Sequence, residues 1–452
     1  MGLSLTGDQL REITRGLFLT QHFPTNNRLP KPVNSTGAGD FTVKLELIGA
    51  NPIFSHMGIG VVNFTDEPVV PKVWLHNGDA PWRIASTAKL GMLLAAVQLR
   101  EDVRYVQQTK LLTKPEEYDE LFAMPEVWAQ ADDMRVEELD GLDHAPRPST
   151  IFDFKKSKDN NDAPLDFIGA PNTPDGQPNG PAIVQRLSDV RRIPVTSEAL
   201  CLAWDVVTFF DFAELLWLAG ARSDNLAATA CISEIGVAYI KAVQRAYGLF
   251  VDGESGMRLL LAGAYGKVDT AQTVDFVSPA TYRAIQDVEP QFVKDLFLDS
   301  TGYNDHMSWV GGSAAALTAY MLALKHNDFG AAGHNTTNGK VACDTIRANL
   351  SQGRPFETQS HIVEGVRKVA NVTKHISKIG LLRHKDGEFY EHLNCEFAYL
   401  ETTEKTGDPR PMQYGLVLTG IRITSPGIKA RIPNAAVLAQ VIAGLIHTNL
   451  LA

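Results

Sequence analysis

The sequence predicts an α/β chain, in which an antiparallel sheet built from strands at both ends is flanked by helices and receives an all-helical lobe. Three observations predict it. Short strand-like runs lie near the start, a long stretch with apolar residues at spacings of three and four fills the middle, and three strand-like runs joined by turns precede a closing helix. At 452 residues the chain exceeds one ordinary core, so it should hold two lobes or one large domain with insertions.

Taken in order, "HMGIGVVNF" (His56 to Phe64) and "KVWLHNG" (Lys72 to Gly78) are a pair of short strands, followed directly by a helix that opens at Ser86 in "WRIASTAKLGMLLAAVQLR". From about Glu137 to Val195 the sequence turns polar and rich in Pro, Gly, Asn and Asp, which reads as a long insertion or surface excursion, or a lid. Helical periodicity returns in Leu200 to Gly248 and continues through "GGSAAALTAYMLALKHN" (Gly311 to Asn327) and "VACDTIRANLSQG". The end changes character: strand "KHISKIGLLR", turn "HKDGE", strand "FYEHLNCEFAYLE", turn "KTGDPRP", strand "QYGLVLTGI", then an amphipathic helix near "NAAVLAQVIAGLIHTN". Residues 1–80 and 366–452 are therefore expected to form an α/β lobe, and residues 81–365 a helical lobe that includes the polar insertion at about 137–195.

Hydrophobic and charged contents of 44% and 21% are ordinary for a globular chain. A formal net charge of -10 without any Lys/Arg run gives no reason to expect nucleic acid or an anionic membrane as a partner. The start lacks the pattern of a signal peptide and no apolar run reaches bilayer length, so the chain as given is expected to be soluble, in the periplasm or outside the cell if a leader was removed and in the cytoplasm otherwise. Cys201, Cys231, Cys343 and Cys395 are too scattered for a zinc site and too few for a disulfide framework, and are expected as buried thiols. No His/Asp/Glu spacing suggests a metal, and no cofactor is expected.

Ser86 and Lys89 lie three apart, so on a helix the hydroxyl and the amine share a face, the geometry of an activated nucleophile. A capping Ser and a solvated Lys are the bland alternative. Ser223-Asp224-Asn225 falls at a break between two helices, either as an ordinary interhelix loop or as a loop presenting a hydroxyl and an amide to a cleft. Two later segments compete for a third place: a literal K-T-G at Lys405-Thr406-Gly407, which runs into Asp408-Pro409 as a turn, and Lys378-Ile379-Gly380 inside a strand.

Together these residues resemble the serine β-lactamase and penicillin-binding protein superfamily, whose motifs S-x-x-K, S-D-N and K-T-G come in that order. The resemblance covers most of the chain beyond about Met57, apart from the polar insertion, and its layout is closest to class A β-lactamase-like proteins. In that family the third motif lies on a cleft-lining strand followed by two strands and a helix, which selects Lys378 over Lys405. The resemblance implies that Ser86 is acylated, that Lys89 helps remove its proton, and that Ser223 shuttles a proton to the leaving group. It implies that Asn225 binds substrate amide or orients Lys89, that Asp224 holds the loop, and that Lys378 lines the substrate site. The backbone N–H groups of Ser86 and Leu381 would receive the oxyanion, and Gly380 would let a substrate backbone lie along the strand. Ile379 replaces the usual Thr, whose hydroxyl helps relatives bind a carboxylate. Glu254 stands at a plausible distance for a deacylating Glu, but Arg258 occupies the place of that family's Asn, so fast lactam turnover is not expected.

The sequence therefore points to a metal-free serine hydrolase acting on a small-molecule or peptide-like amide or ester. A D,D-peptidase, a β-lactamase and a metabolite esterase or amidase remain open within that class, and a binding protein that kept the fold and lost turnover is the rival outside it. Lys374, His375, Arg383 and His384, which flank the third motif, could meet an anionic substrate, but alternating polar residues on a strand are more often its solvated face.

Overall fold

In the computed structural model the described residues are 3–22, 29–36, 40–65, 71–80, 82–128, 145–154, 165–169, 183, 210–249, 259–261, 310–329, 337–351, 360–383, 389–405, 411–421, 432 and 434–451. Strands β1 (Gly58–Asn63), β2 (Lys72–His76), β6 (Ala370–Arg383), β7 (Phe389–Glu404) and β8 (Met412–Ile421) form one antiparallel sheet in the order β2-β1-β8-β7-β6. The first strand pair thus inserts beside the last strand of the chain, and β6 is left on an edge. This is the α/β class expected from the sequence.

Because side chains alternate along a strand, the sheet divides its residues between two cores. Cys395, Phe397, Tyr399 and Val417 face the helical block, whereas Ala398, Leu400, Leu416 and Leu418 face helices Asp40–Gly49, His361–Arg367 and Ala435–Leu451. Directly paired residues share a face, so Lys378, opposite Phe397, and Gly380, opposite Cys395, look toward the helical block. Ile379, opposite Glu396, packs into the other core.

At the centre of the helical block is Lys89–Thr109, buried from Lys89 through Val103 and surrounded by helices Phe212–Ala221, Asn225–Ile235, Val237–Ala246 and Thr337–Leu350. Caps define several of these elements: Glu214 accepts from the Asp211 N–H, Asp224 from the Ala227 N–H and Ser313 from the Ala316 N–H. Helix Ala314–His326 lies against β1 and β8.

Three findings depart from the sequence expectations. The helix does not open at Ser86: a single 3-10 turn, Ala85–Ala88, carries Ser86, and α-helix begins at Lys89. The polar stretch is not only a surface excursion, because Ile151, Phe152, Phe154, Leu165 and Phe167 are buried in the helical core and Phe167 stacks on Phe152 and Phe212. Its few apolar residues pack although the average composition is polar. A second sheet, β3 (Trp82–Arg83), β4 (Leu259–Leu261) and β5 (Val310–Gly312) in the order β3-β5-β4, joins segments too short to show any periodicity. Of the predicted turns, 384–388 and 406–410 lie outside the described residues.

Two buried titrating groups have opposite effects on stability. His447 accepts or donates at Nδ1 with the Tyr414 hydroxyl, 3.0 Å away, and burial lowers its pKa from 6.5 to about 4. Its contribution is therefore full above pH 6.5 and is lost as the pH falls toward 4, about 3 kcal/mol in all. Asp102 accepts from Tyr239 Oη (2.7 Å), Phe18 N (2.9 Å) and Gln98 Nε2 (3.4 Å), yet burial outweighs these bonds and raises its carboxyl from 3.8 to about 7. Here the folded chain binds the proton more readily, so about 4 kcal/mol is lost as the pH rises from 4 to 7. Asp102→Asn is expected to steepen the acid loss of stability and His447→Gln to flatten it, measured as urea midpoints at pH 4.5, 5.5 and 7. Parallel pH profiles in both variants would contradict this assignment.

Candidate active site

The 3-10 turn brings Ser86 to the head of the central helix, where it is half-buried, and the Lys89 N–H closes the turn on the Ser86 carbonyl. Lys89 is fully buried. Its Nζ donates to the carbonyl oxygens of Ser223 (2.8 Å) and Asp224 (3.2 Å), across the lobe in sequence but adjacent in space. Burial lowers the amine from 10.5 to about 7 against the opposing pull of Asp224 and, more weakly, of Cys231 on helix Asn225–Ile235.

Ser223 aims its carbonyl from an unusual backbone, with φ of 56°, a left-handed conformation that costs a non-glycine residue about 1 kcal/mol or more. The helices on either side hold it there. Asp224 N donates to Leu218 O at 3.0 Å, and the Asp224 carboxylate caps helix Asn225–Ile235 through Ala227 N, also at 3.0 Å. Asp224 thus fastens the loop, as the sequence suggested. Asn225 begins that helix.

Lys378 approaches from β6 and is 2% exposed. It donates to Ala219 O (3.2 Å) and Gly220 O (3.0 Å) at the end of helix Phe212–Ala221. Burial first, and then the nearby Lys89, push its amine well below the usual lysine range. The three segments singled out in the sequence therefore meet around two buried amines.

Gly380 has a structural role that sequence reasoning missed. A Cβ there would lie 2.0 Å from Ile84 O and 2.9 Å from Thr87 Oγ1, so the space a side chain would fill is occupied by the turn that carries Ser86. Cys395, directly opposite Gly380 in the β6–β7 register, is a buried thiol whose ionisation burial pushes up. Leu381 follows at a break in the β6–β7 register, where the pairing steps from Gly380↔Cys395 to Leu381↔Leu393.

The competing Lys405 is exposed just beyond the far end of β7, donating to Lys368 O at 3.1 Å. Lys374 meets Glu401 at 3.5 Å and is exposed, and His375 is half-buried. Cys231, Cys343 and Cys395 are buried free thiols. Cys201, Glu254, Arg258, His384, Thr406 and Gly407 lie outside the described residues, as do the side chains of Asn225, Leu381 and Arg383. Among the described residues no group of His, Cys, Asp and Glu could hold a metal, and no helix is long and apolar enough to cross a membrane.

Chains of known structure similar to this one include a beta-lactamase from Burkholderia ambifaria, 10% identical, covering 88% of this chain and 94% of its own, with a TM-score of 0.37. A class A beta-lactamase from Mycobacterium abscessus is 12% identical over 85% of this chain and 91% of its own (TM-score 0.35). A beta-lactamase from Streptosporangium roseum is 12% identical over 91% and 98% (TM-score 0.37). No family model matches the chain, and no curated protein does.

Proposed function

We propose that this chain is a serine hydrolase of the β-lactamase and penicillin-binding superfamily, cleaving an amide or ester through an acyl-enzyme on Ser86. The observation that carries the reading is Lys89: a fully buried amine one turn from a half-buried hydroxyl, with a pKa brought to about 7. A lysine serves as a base only when neutral, and a value near the working pH suits it to take a proton and return it.

When neutral, Lys89 has two N–H bonds to donate, and the Ser223 and Asp224 carbonyls accept from its Nζ. The lone pair then receives the Ser86 proton as Oγ bonds to the substrate carbonyl carbon. The oxyanion is held by the N–H groups of Ser86 and Leu381. As the intermediate collapses, the bond to the leaving amine or alkoxide breaks, and the Lys89 proton reaches that group through the Ser223 hydroxyl. Water then attacks the acyl carbon, the bond from that carbon to Oγ breaks, and the proton water gives up passes to Oγ, releasing the carboxylic acid and free Ser86. Asn225 would orient the substrate amide or Lys89, Lys378 would line the substrate site, and Glu254 is the candidate for activating the water.

The rate of labelling by a fluorophosphonate, followed against pH, tests this. The rate is expected to rise through a single ionisation near pH 7 and to level off above it, because only neutral Lys89 accepts the proton. A rate that is flat between pH 5 and 9 would remove Lys89 from the chemistry.

A further inference from the structure

The strand that carries Lys378 and Gly380 is backed on both faces. Toward Ser86, the space a side chain would take at Gly380 is filled by Ile84 O, at the head of the Ala85–Ala88 turn. On the reverse face, Ile379 packs into the core that contains Ile362, Val363 and Val366 of helix His361–Arg367. Directly opposite Ile379 in the β6–β7 register stands Glu396, which is 0% exposed. Burying a carboxyl group so completely is costly unless donors surround it. Glu396 Oε1 accepts from the Ser360 hydroxyl and from Ile362 N at 3.1 Å, and Oε2 lies 3.5 Å from His361 Nδ1. The Ser360 oxygen in turn accepts from Val363 N at 3.1 Å.

Three consecutive residues at the head of the helix, Ser360 to Ile362, are thus fastened to one side chain of the sheet, and the helix lies across β6 and β7. The other charged side chains of that helix, Glu364 and Arg367, pair with each other at 2.9 Å. We infer that Glu396 is a positioning residue for the acylation of Ser86: by pinning helix His361–Arg367 behind Ile379, it keeps β6 pressed against the turn that carries the nucleophile. This rests on Ser86 being the nucleophile. Glu396 touches no reacting atom, because its bonds lie on the reverse face of the sheet. Its effect is on where Gly380 and the Leu381 N–H stand, and a displacement of about 1 Å in such a group can cost about a hundredfold in rate.

The test follows fluorophosphonate labelling of Ser86 as two quantities, the rate constant and the fraction of protein finally labelled, in wild type, Glu396→Gln, Glu396→Met and Ser360→Ala. Glutamine keeps an oxygen for Ser360 and Ile362 and is expected to label within about threefold of the wild-type rate, whereas methionine removes the acceptor and is expected to slow labelling about tenfold. Ser360→Ala, which removes one of the two donors to Oε1, is expected to fall between them, and the labelled fraction is expected to stay at the wild-type level in all three. A merely structural role would lower the labelled fraction and leave the rate constant unchanged. That result, a wild-type rate in Glu396→Met, or a Glu396→Gln as slow as Glu396→Met would overturn the inference while leaving the nucleophile intact. If Glu396→Met does not fold, Ser360→Ala decides: a slower rate at full labelled fraction supports the inference and a wild-type rate overturns it. Absence of an adduct on Ser86 in the wild type would instead overturn the nucleophile and the inference with it.

Discussion

Lys89→Met is expected to slow acylation of Ser86 by about 10³-fold, the order that a positioned general base supplies, and at the same time to make the protein more stable. The two effects have one cause. Burial holds the folded-state amine at about 7 against 10.5 in the unfolded chain. Between those values the unfolded chain keeps a proton that the folded chain has released, so stability from this group rises with pH, and at pH 7 and below a penalty of about 5 kcal/mol is in force. Methionine fills similar space without charge but leaves the Ser223 and Asp224 carbonyls without this donor, at about 1–3 kcal/mol for each group left unsatisfied. A net gain at pH 6 that shrinks by pH 9 is expected in thermal midpoints. A difference between variant and wild-type midpoints that is the same at pH 6 and pH 9 would contradict the low folded-state pKa.

Gly380→Ala is expected to cost about 3 kcal/mol and to suppress labelling of Ser86 together with stability. The added methyl meets Ile84 O, which belongs to backbone and cannot rotate away, and Thr87 Oγ1 behind it. Relief requires β6 to move away from the Ala85–Ala88 turn, separating Leu381 N–H from Ser86 N–H. Urea unfolding and the labelling rate are the measurements; a variant with both unchanged would show that the strand and the turn are not held in contact.

Much of this architecture is legible in the sequence because it is written in side chains. The short β-branched and apolar run in "QYGLVLTGI", following a turn, and helical spacing in "FAELLWLAGA" mark a strand at Met412–Ile421 and a helix at Phe212–Ala221. The placement of Lys378 within a strand and of Lys405 beside a turn was also readable, and the structure puts Lys378 near Lys89 and Lys405 beyond the end of β7; choosing between them as a third motif took the family resemblance. What was not legible is backbone. The acceptors that hold both lysines are main-chain carbonyls of Ala219, Gly220, Ser223 and Asp224, which carry no residue-type signature. The reason for glycine at 380 lies in a carbonyl 296 positions earlier in the chain. The apolar residues between Ala145 and Gly169 were hidden by polar neighbours, although Phe152 and Phe167 stack deep in the helical core. Asp102 and His447 gave no pattern either: Asp102 is buried beside Gln98, Arg100 and Glu101 in what reads as an ordinary polar stretch of helix, and His447 is identified only by what surrounds it.

The central claim is that Ser86 is a nucleophile activated by Lys89, and intact-protein mass spectrometry after incubation with a fluorophosphonate tests it most directly. One adduct is expected, mapping by peptide analysis to Ser86, absent in Ser86→Ala and strongly slowed in Lys89→Met. An adduct that persists in Ser86→Ala, or no adduct on a folded wild-type protein, would contradict the claim and leave the fold as a binding scaffold.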